Sequence, residues 1–131
     1  MNNYLPTDYQ TFIATSRYAR WLEDKQRRET WPETVERYIE NIVERHIEDK
    51  KIVDQIRSAI LSLEVMPSMR ALMTAGAAAD RDNTSIYNCS YLPVDHPRAF
   101  DEAMFILLCG TGVGFSAVSY THLTLPTILR V

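Results

Sequence analysis

A thiol beside a run of glycines is the part of this chain best suited to chemistry. Cys89 lies in Tyr87-Asn88-Cys89-Ser90-Tyr91, and Gly110-Thr111-Gly112-Val113-Gly114-Phe115 follows after one helix's length of sequence. A thiol on a strand end can meet a substrate lying across it, and residues without Cβ let a ligand or neighbouring backbone approach closely. The competing reading of Cys89 is a small, buried, apolar thiol. Cys109, at the end of an apolar helix, is expected to be an inert packed thiol, and a Cys89–Cys109 disulfide is disfavoured.

The pattern around these residues predicts the elements that position them. Tyr87 to Leu92 reads as a short strand, Asp95 to Cys109 as a helix and Gly112 to Ala117 as a second strand. The crossover is long enough to make the strands parallel, a βαβ unit. Asp95 before Pro97 is the expected N-cap, and Gly110 the expected C-cap. Phe100, Ala103, Met104, Leu107 and Leu108 form the apolar face expected to be core. The glycine run closes a helix rather than opening one, so its context is wrong for a dinucleotide or Walker phosphate loop.

Upstream the chain reads as helical. Thr11 to Lys25 carries Phe12, Ile13, Tyr18, Trp21 and Leu22 on a rough helical face, followed by a charged run, Glu23 to Glu29, expected to be a solvated turn. Thr30 and Glu33 form a capping box with Pro32 in the first turn. Val35, Ile39, Ile42, Val43 and His46 then recur at helical spacing. A third helix is expected from about Lys50 to Leu63, stopped before Pro67. Ala75 to Ser85 reads as a surface loop. His46 and His96 are expected as surface and turn residues, and Asp80-Arg81-Asp82 as a solvated charge cluster.

Composition bounds the function. The chain has 131 residues, with Lys+Arg 14 against Asp+Glu 17 and a net charge of -3, so no basic field recommends nucleic acid or an anionic membrane as partner. Its start lacks a signal peptide's regions and no apolar run reaches bilayer-spanning length, so the cytoplasm is the expected location. Two cysteines are too few and too far apart for a disulfide scaffold or a paired-ligand zinc site.

Four segments, taken together, resemble the catalytic subunit of ribonucleotide reductase in its adenosylcobalamin-dependent (class II) branch. They are Arg17 to Trp21 with its continuation through Tyr38, Met66-Pro67-Ser68-Met69-Arg70-Ala71-Leu72-Met73-Thr74-Ala75-Gly76, Asn88-Cys89, and Gly110 to Phe115. The resemblance implies an α-rich α/β fragment: an N-terminal helical region over 1–65, then the first βαβ unit of a ten-stranded α/β barrel over 66–117. It implies that Cys89 is one of two reducing thiols, and that Ser68, Met69, Asn88, Ser90 and Gly112 line the substrate pocket. The partner thiol and the radical cysteine would lie beyond residue 131, so the fragment by itself is expected to be inactive. Implied partners are a ribonucleotide, a nucleotide effector and a thioredoxin-like dithiol reductant. The implied cofactor is adenosylcobalamin, with a diiron radical subunit as alternative, because the short span from Ser90 to Cys109 looks like that of the dimeric enzymes. The contrasting reading, which needs no resemblance, is a non-catalytic helical interaction module.

The C-terminal run Val118-Ser119-Tyr120-Thr121-His122-Leu123-Thr124-Leu125-Pro126-Thr127 resembles one reading frame of a transposon-end adapter used in sequencing libraries. Residues 118–131 are therefore expected to be non-native, and His122 is given no functional weight.

Overall fold

A computed structural model describes residues 4–116, and the adapter-like run lies outside the described residues. The chain divides into two compact units, residues 1–81 and 82–131.

The first unit is helical. Helix α1 (Asp8–Ile13) starts at Thr7, whose hydroxyl accepts from the Gln10 amide in a capping box, and continues as a π-helical turn to Tyr18. The helix expected to reach Lys25 stops there. Ala19 is extended, and β1 (Trp21–Leu22) pairs antiparallel with β2 (Arg27–Arg28) across a turn in which Gln26 has φ 48°. Side chains from elsewhere account for the early stop by taking up the backbone at the helix end. Arg37 donates to Tyr18 O, Arg28 to Ala19 O, and the Arg20 amide to the Glu29 carboxylate. Tertiary hydrogen bonds thus outweigh a moderate helical propensity. The run from Glu23 to Glu29 is not wholly solvated either, since Glu29 is buried.

Helix α2 (Trp31–Tyr38) begins at the expected capping box, in which Thr30 and Glu33 cap each other's backbone N–H, and runs on as a π-helical turn to Val43. Trp31, Val35, Ile39 and Val43 recur every four residues and enter the core with Leu5, Val53, Ile60 and Leu72. Val53 and Ile60 come from α3 (Lys50–Leu61) and Leu72 from α4 (Met69–Thr74). At about 1.5–3 kcal/mol for each fully buried aliphatic side chain, this stripe is the main apolar stabilisation of the unit. The predicted loop from Ala75 to Ser85 is instead structured. Gly76 turns the chain at φ 97°, Ala77–Arg81 form α5, and Asn83–Ile86 form a 3-10 turn capped by Asp82. The three alanines of α5 are strong helix formers, which the turn-like composition obscured.

The second unit is the expected βαβ: β3 (Cys89–Pro93), α6 (Ala99–Leu108) and β4 (Gly112–Ser116), with β3 and β4 parallel. Helix α6 departs from expectation twice. It starts at Ala99 with no side-chain cap, not at Asp95, because His96 precedes Pro97 and is held out of the helical region. Its inward face is Ala99, Ala103 and Ile106, whereas Phe100, Met104, Phe105, Leu107 and Leu108 are each more than half exposed. Small residues let the helix lie close to its two strands, and among the described residues of this unit nothing covers the bulky ones.

Candidate functional site at the β3 and β4 strand pair

In a parallel ladder, paired residues point to the same face and successive residues alternate. Cys89 pairs with Gly112 and Tyr91 with Gly114. Cys89, Tyr91 and the two glycines therefore share one face, on which both side chains are exposed. Ser90, Leu92 and Val113, on the other face, are partly covered. The Cys89 thiol is free and exposed, and Cys109 is free and half-buried, so the two do not form a disulfide.

Gly112 adjoins the thiol. A Cβ built there would lie 4.0 Å from Cys89 Sγ and 3.4 Å from Asn88 O, so glycine keeps the space beside the sulfur clear. Gly110, with φ 86°, ends α6 as expected and its amide donates to Leu107 O at 2.9 Å. The Gly112 amide then donates to Asn88 O at 2.9 Å, and Ser90 Oγ donates to Gly112 O at 3.2 Å. Asn88, Cys89, Ser90 and Gly112 are thereby brought together.

Ser68 and Met69 belong to the other unit. Ser68 is the N-cap of α4, its hydroxyl accepting from the Ala71 amide at 3.4 Å, and the Met69 sulfur accepts from the Tyr18 hydroxyl at 2.8 Å. The far end of the same segment is fixed from within the unit. Arg37 donates to Leu72 O at 3.0 Å and to Ala75 O at 2.8 Å while holding both Glu29 carboxylate oxygens. Arg20 also donates to Met73 O. Burial pushes the Glu29 carboxyl upward, but Arg37 and the Arg20 amide outweigh it, leaving its pKa below the ordinary carboxylate value.

The sequence reading missed two participants. Thr111 is 1% exposed, with Oγ1 2.7 Å from Thr84 O and 2.9 Å from Tyr87 O. The Glu29–Arg37 pair was hidden because Glu29 ends a charged run that looked solvated, while Arg37 lies eight residues on, in α2. No three His, Cys, Asp or Glu side chains among the described residues converge on a metal-sized site, and His46 and His96 are both exposed. No described helix is long and apolar enough to cross a membrane.

A helical unit joined to a parallel βαβ with an accessible thiol defines the class as an α/β protein carrying a candidate redox cysteine. Comparison with known proteins gives the family: the sequence profile described as "Ribonucleotide reductase alpha domain" matches residues 3–77, and the chain belongs to that family. The match ends before Cys89. The chain is similar to the adenosylcobalamin-dependent ribonucleoside-triphosphate reductase of Lactobacillus helveticus, at 26% identity over 85% of this chain and 19% of that protein. The protein of the same name from Lactobacillus gasseri is likewise 26% identical over 85% of this chain and 19% of its own length. The one from Levilactobacillus brevis is 28% identical over 66% of this chain and 13% of its own length. This chain thus spans about a fifth or less of the curated relatives it matches. No solved structure matches it significantly.

Proposed function

We propose that this chain is the N-terminal part of an enzyme that reduces ribonucleotides to deoxyribonucleotides, with Cys89 as one of its two reducing thiols. The observation that carries the reading is the exposed, unpaired Cys89 sulfur beside the bare Gly112, in a chain of the reductase alpha family. Two thiols becoming a disulfide release two electrons and two protons. These replace the ribose C–OH bond with C–H and expel the oxygen as water. Thiol–disulfide exchange with a thioredoxin-like dithiol then resets the pair. The second reducing thiol and the radical-bearing cysteine lie elsewhere in the parent, and so does most of the proposed barrel, so the fragment alone does not turn over.

The relatives' names favour a ribonucleoside triphosphate as substrate and adenosylcobalamin as cofactor over a diiron radical subunit. Adenosylcobalamin, when bound, supplies the initiating radical. Its binding site is proposed to lie in the rest of the parent. What this chain's own residues contribute is substrate placement. Asn88, Ser90 and the Gly112 backbone flank the thiol, and Ser68 and Met69 at the start of α4 are proposed as substrate-binding residues on the family resemblance alone. A nucleotide effector site and a cytoplasmic location complete the proposal.

One observation favours the contrasting reading of an interaction module, namely the uncovered apolar side of α6. Cys89→Ser in the full-length parent separates the two. Deoxyribonucleotide formation with a dithiol reductant should collapse, and retained multiple turnover would reject the electron-donor role.

A further inference from the structure

We propose that Thr111 is a positioning residue for Cys89, its buried hydroxyl clasping the segment of chain that leads into β3. The geometry stands by itself, and only the catalytic consequence rests on the electron-donor reading of Cys89.

The Thr111 hydroxyl lies between two backbone carbonyls, 2.7 Å from Thr84 O and 2.9 Å from Tyr87 O. One hydroxyl has one proton, so it donates to either carbonyl in turn and keeps both within reach. Thr84 O also accepts from the Tyr87 amide at 3.2 Å, and the Asp82 carboxylate accepts from the Thr84 amide at 2.9 Å, so the turn that is gripped is itself closed. The next residue, Gly112, takes Asn88 O through its amide. Thr111 and Gly112 therefore hold residues 84, 87 and 88 in succession, and the residue after them is Cys89.

The residue type fits this work. At 1% exposure the hydroxyl gains nothing from water, and a valine of nearly the same shape would suit a position next to a strand. What valine cannot supply is a donor, and it would leave the Tyr87 carbonyl without the Thr111 hydroxyl bond. The strand would then keep its far end, where the Val94 amide donates to Ser116 O at 3.1 Å, while its Cys89 end loosened.

Residue-resolved hydrogen exchange on the full-length parent tests the clasp without reference to activity. Thr111→Val should speed exchange of the Gly112 amide about tenfold or more while the Val94 amide changes less than about twofold, and Thr111→Ser should restore the unmodified rate. An unchanged Gly112 amide, or equal acceleration at both ends, would overturn the proposal. The unmodified protein gives a check that survives misfolding of any variant: its Gly112 amide should be at least as protected as its Val94 amide, and the reverse order refutes the clasp. In the reductase assay Thr111→Val should lower kcat about tenfold with little change in KM. If exchange responds and kcat does not, the clasp stands but the positioning role of Thr111 in the reaction is overturned, while the electron-donor role of Cys89 is decided separately by Cys89→Ser.

Discussion

At residue scale, two positions carry most of the consequence. Gly112 has no positive φ demanding glycine, so its role is space rather than backbone freedom. Gly112→Ala should be tolerated, since its Cβ meets Asn88 O at 3.4 Å and Sγ at 4.0 Å, both near ordinary contact. Gly112→Val should place a methyl group over the sulfur, slowing alkylation of Cys89 by iodoacetamide about tenfold relative to Cys109 and lowering parent kcat similarly. Equal alkylation of wild type and the valine variant would show that Gly112 is not what keeps the thiol open. Glu29 is the second position, with 5% of its side chain exposed against 14% for Arg37. Its lowered pKa means that the pair's stabilisation is complete above the unfolded value of about 4.3 and is lost as pH falls through the lower folded value. Urea midpoints should therefore drop below about pH 4.5. Glu29→Gln should cost about 3 kcal/mol at neutral pH by leaving Arg37 buried without a counter-charge, and should flatten part of that acid slope. A variant as stable as wild type at pH 7 would mean that the pair contributes nothing net.

At the scale of elements, the capping box offers a measurable contrast with the buried pair. Thr30 accepts from the backbone N–H three residues on, and Glu33 is held by Arg27 and Lys25 at a partly exposed site. Thr30→Ala should cost about 1 kcal/mol, read from urea melts followed by the buried Trp31. Glu33→Gln should cost less than Glu29→Gln, because exposed ion pairs contribute little. These elements also show what could be read from sequence. The capping box, the Val35–Ile39–Val43 stripe and the parallel strands around Cys89 are local patterns with a short physical range, and all three are present in the fold. The β1–β2 hairpin was not legible, because its turn is made by Gln26 rather than glycine and its anchor is Arg37, well downstream. The orientation of α6 was misread for a related reason. Hydrophobicity suggested its bulky side, but close approach to two strands selects Ala99 and Ala103. Thr111 was likewise invisible, since nothing in a glycine run marks a hydroxyl that reaches back to residues 84 and 87.

At the scale of the whole molecule, the exposed side of α6 sets behaviour that no single site does. Phe100, Met104, Phe105, Leu107 and Leu108 are 52% to 79% exposed, on a unit whose described residues form one two-stranded sheet. Parallel sheets are normally covered on both faces, and an uncovered strand edge is a template for further pairing. A net charge of -3 offers little repulsion against association. The isolated 131-residue chain should therefore self-associate at micromolar concentration, measured by sedimentation velocity. Met104→Lys with Leu108→Lys should raise its monomer fraction by removing two bulky members of the patch. In the parent the same pair should have the opposite effect. If the remaining chain covers α6 there, each lysine replaces about 1.5–3 kcal/mol of apolar burial and the melting temperature should fall by several degrees. A cooperative, monomeric melt of the unmodified chain would refute the association. A parent indifferent to both lysines would show that this face of α6 stays open to solvent or to another protein, which is the outcome the interaction-module reading requires.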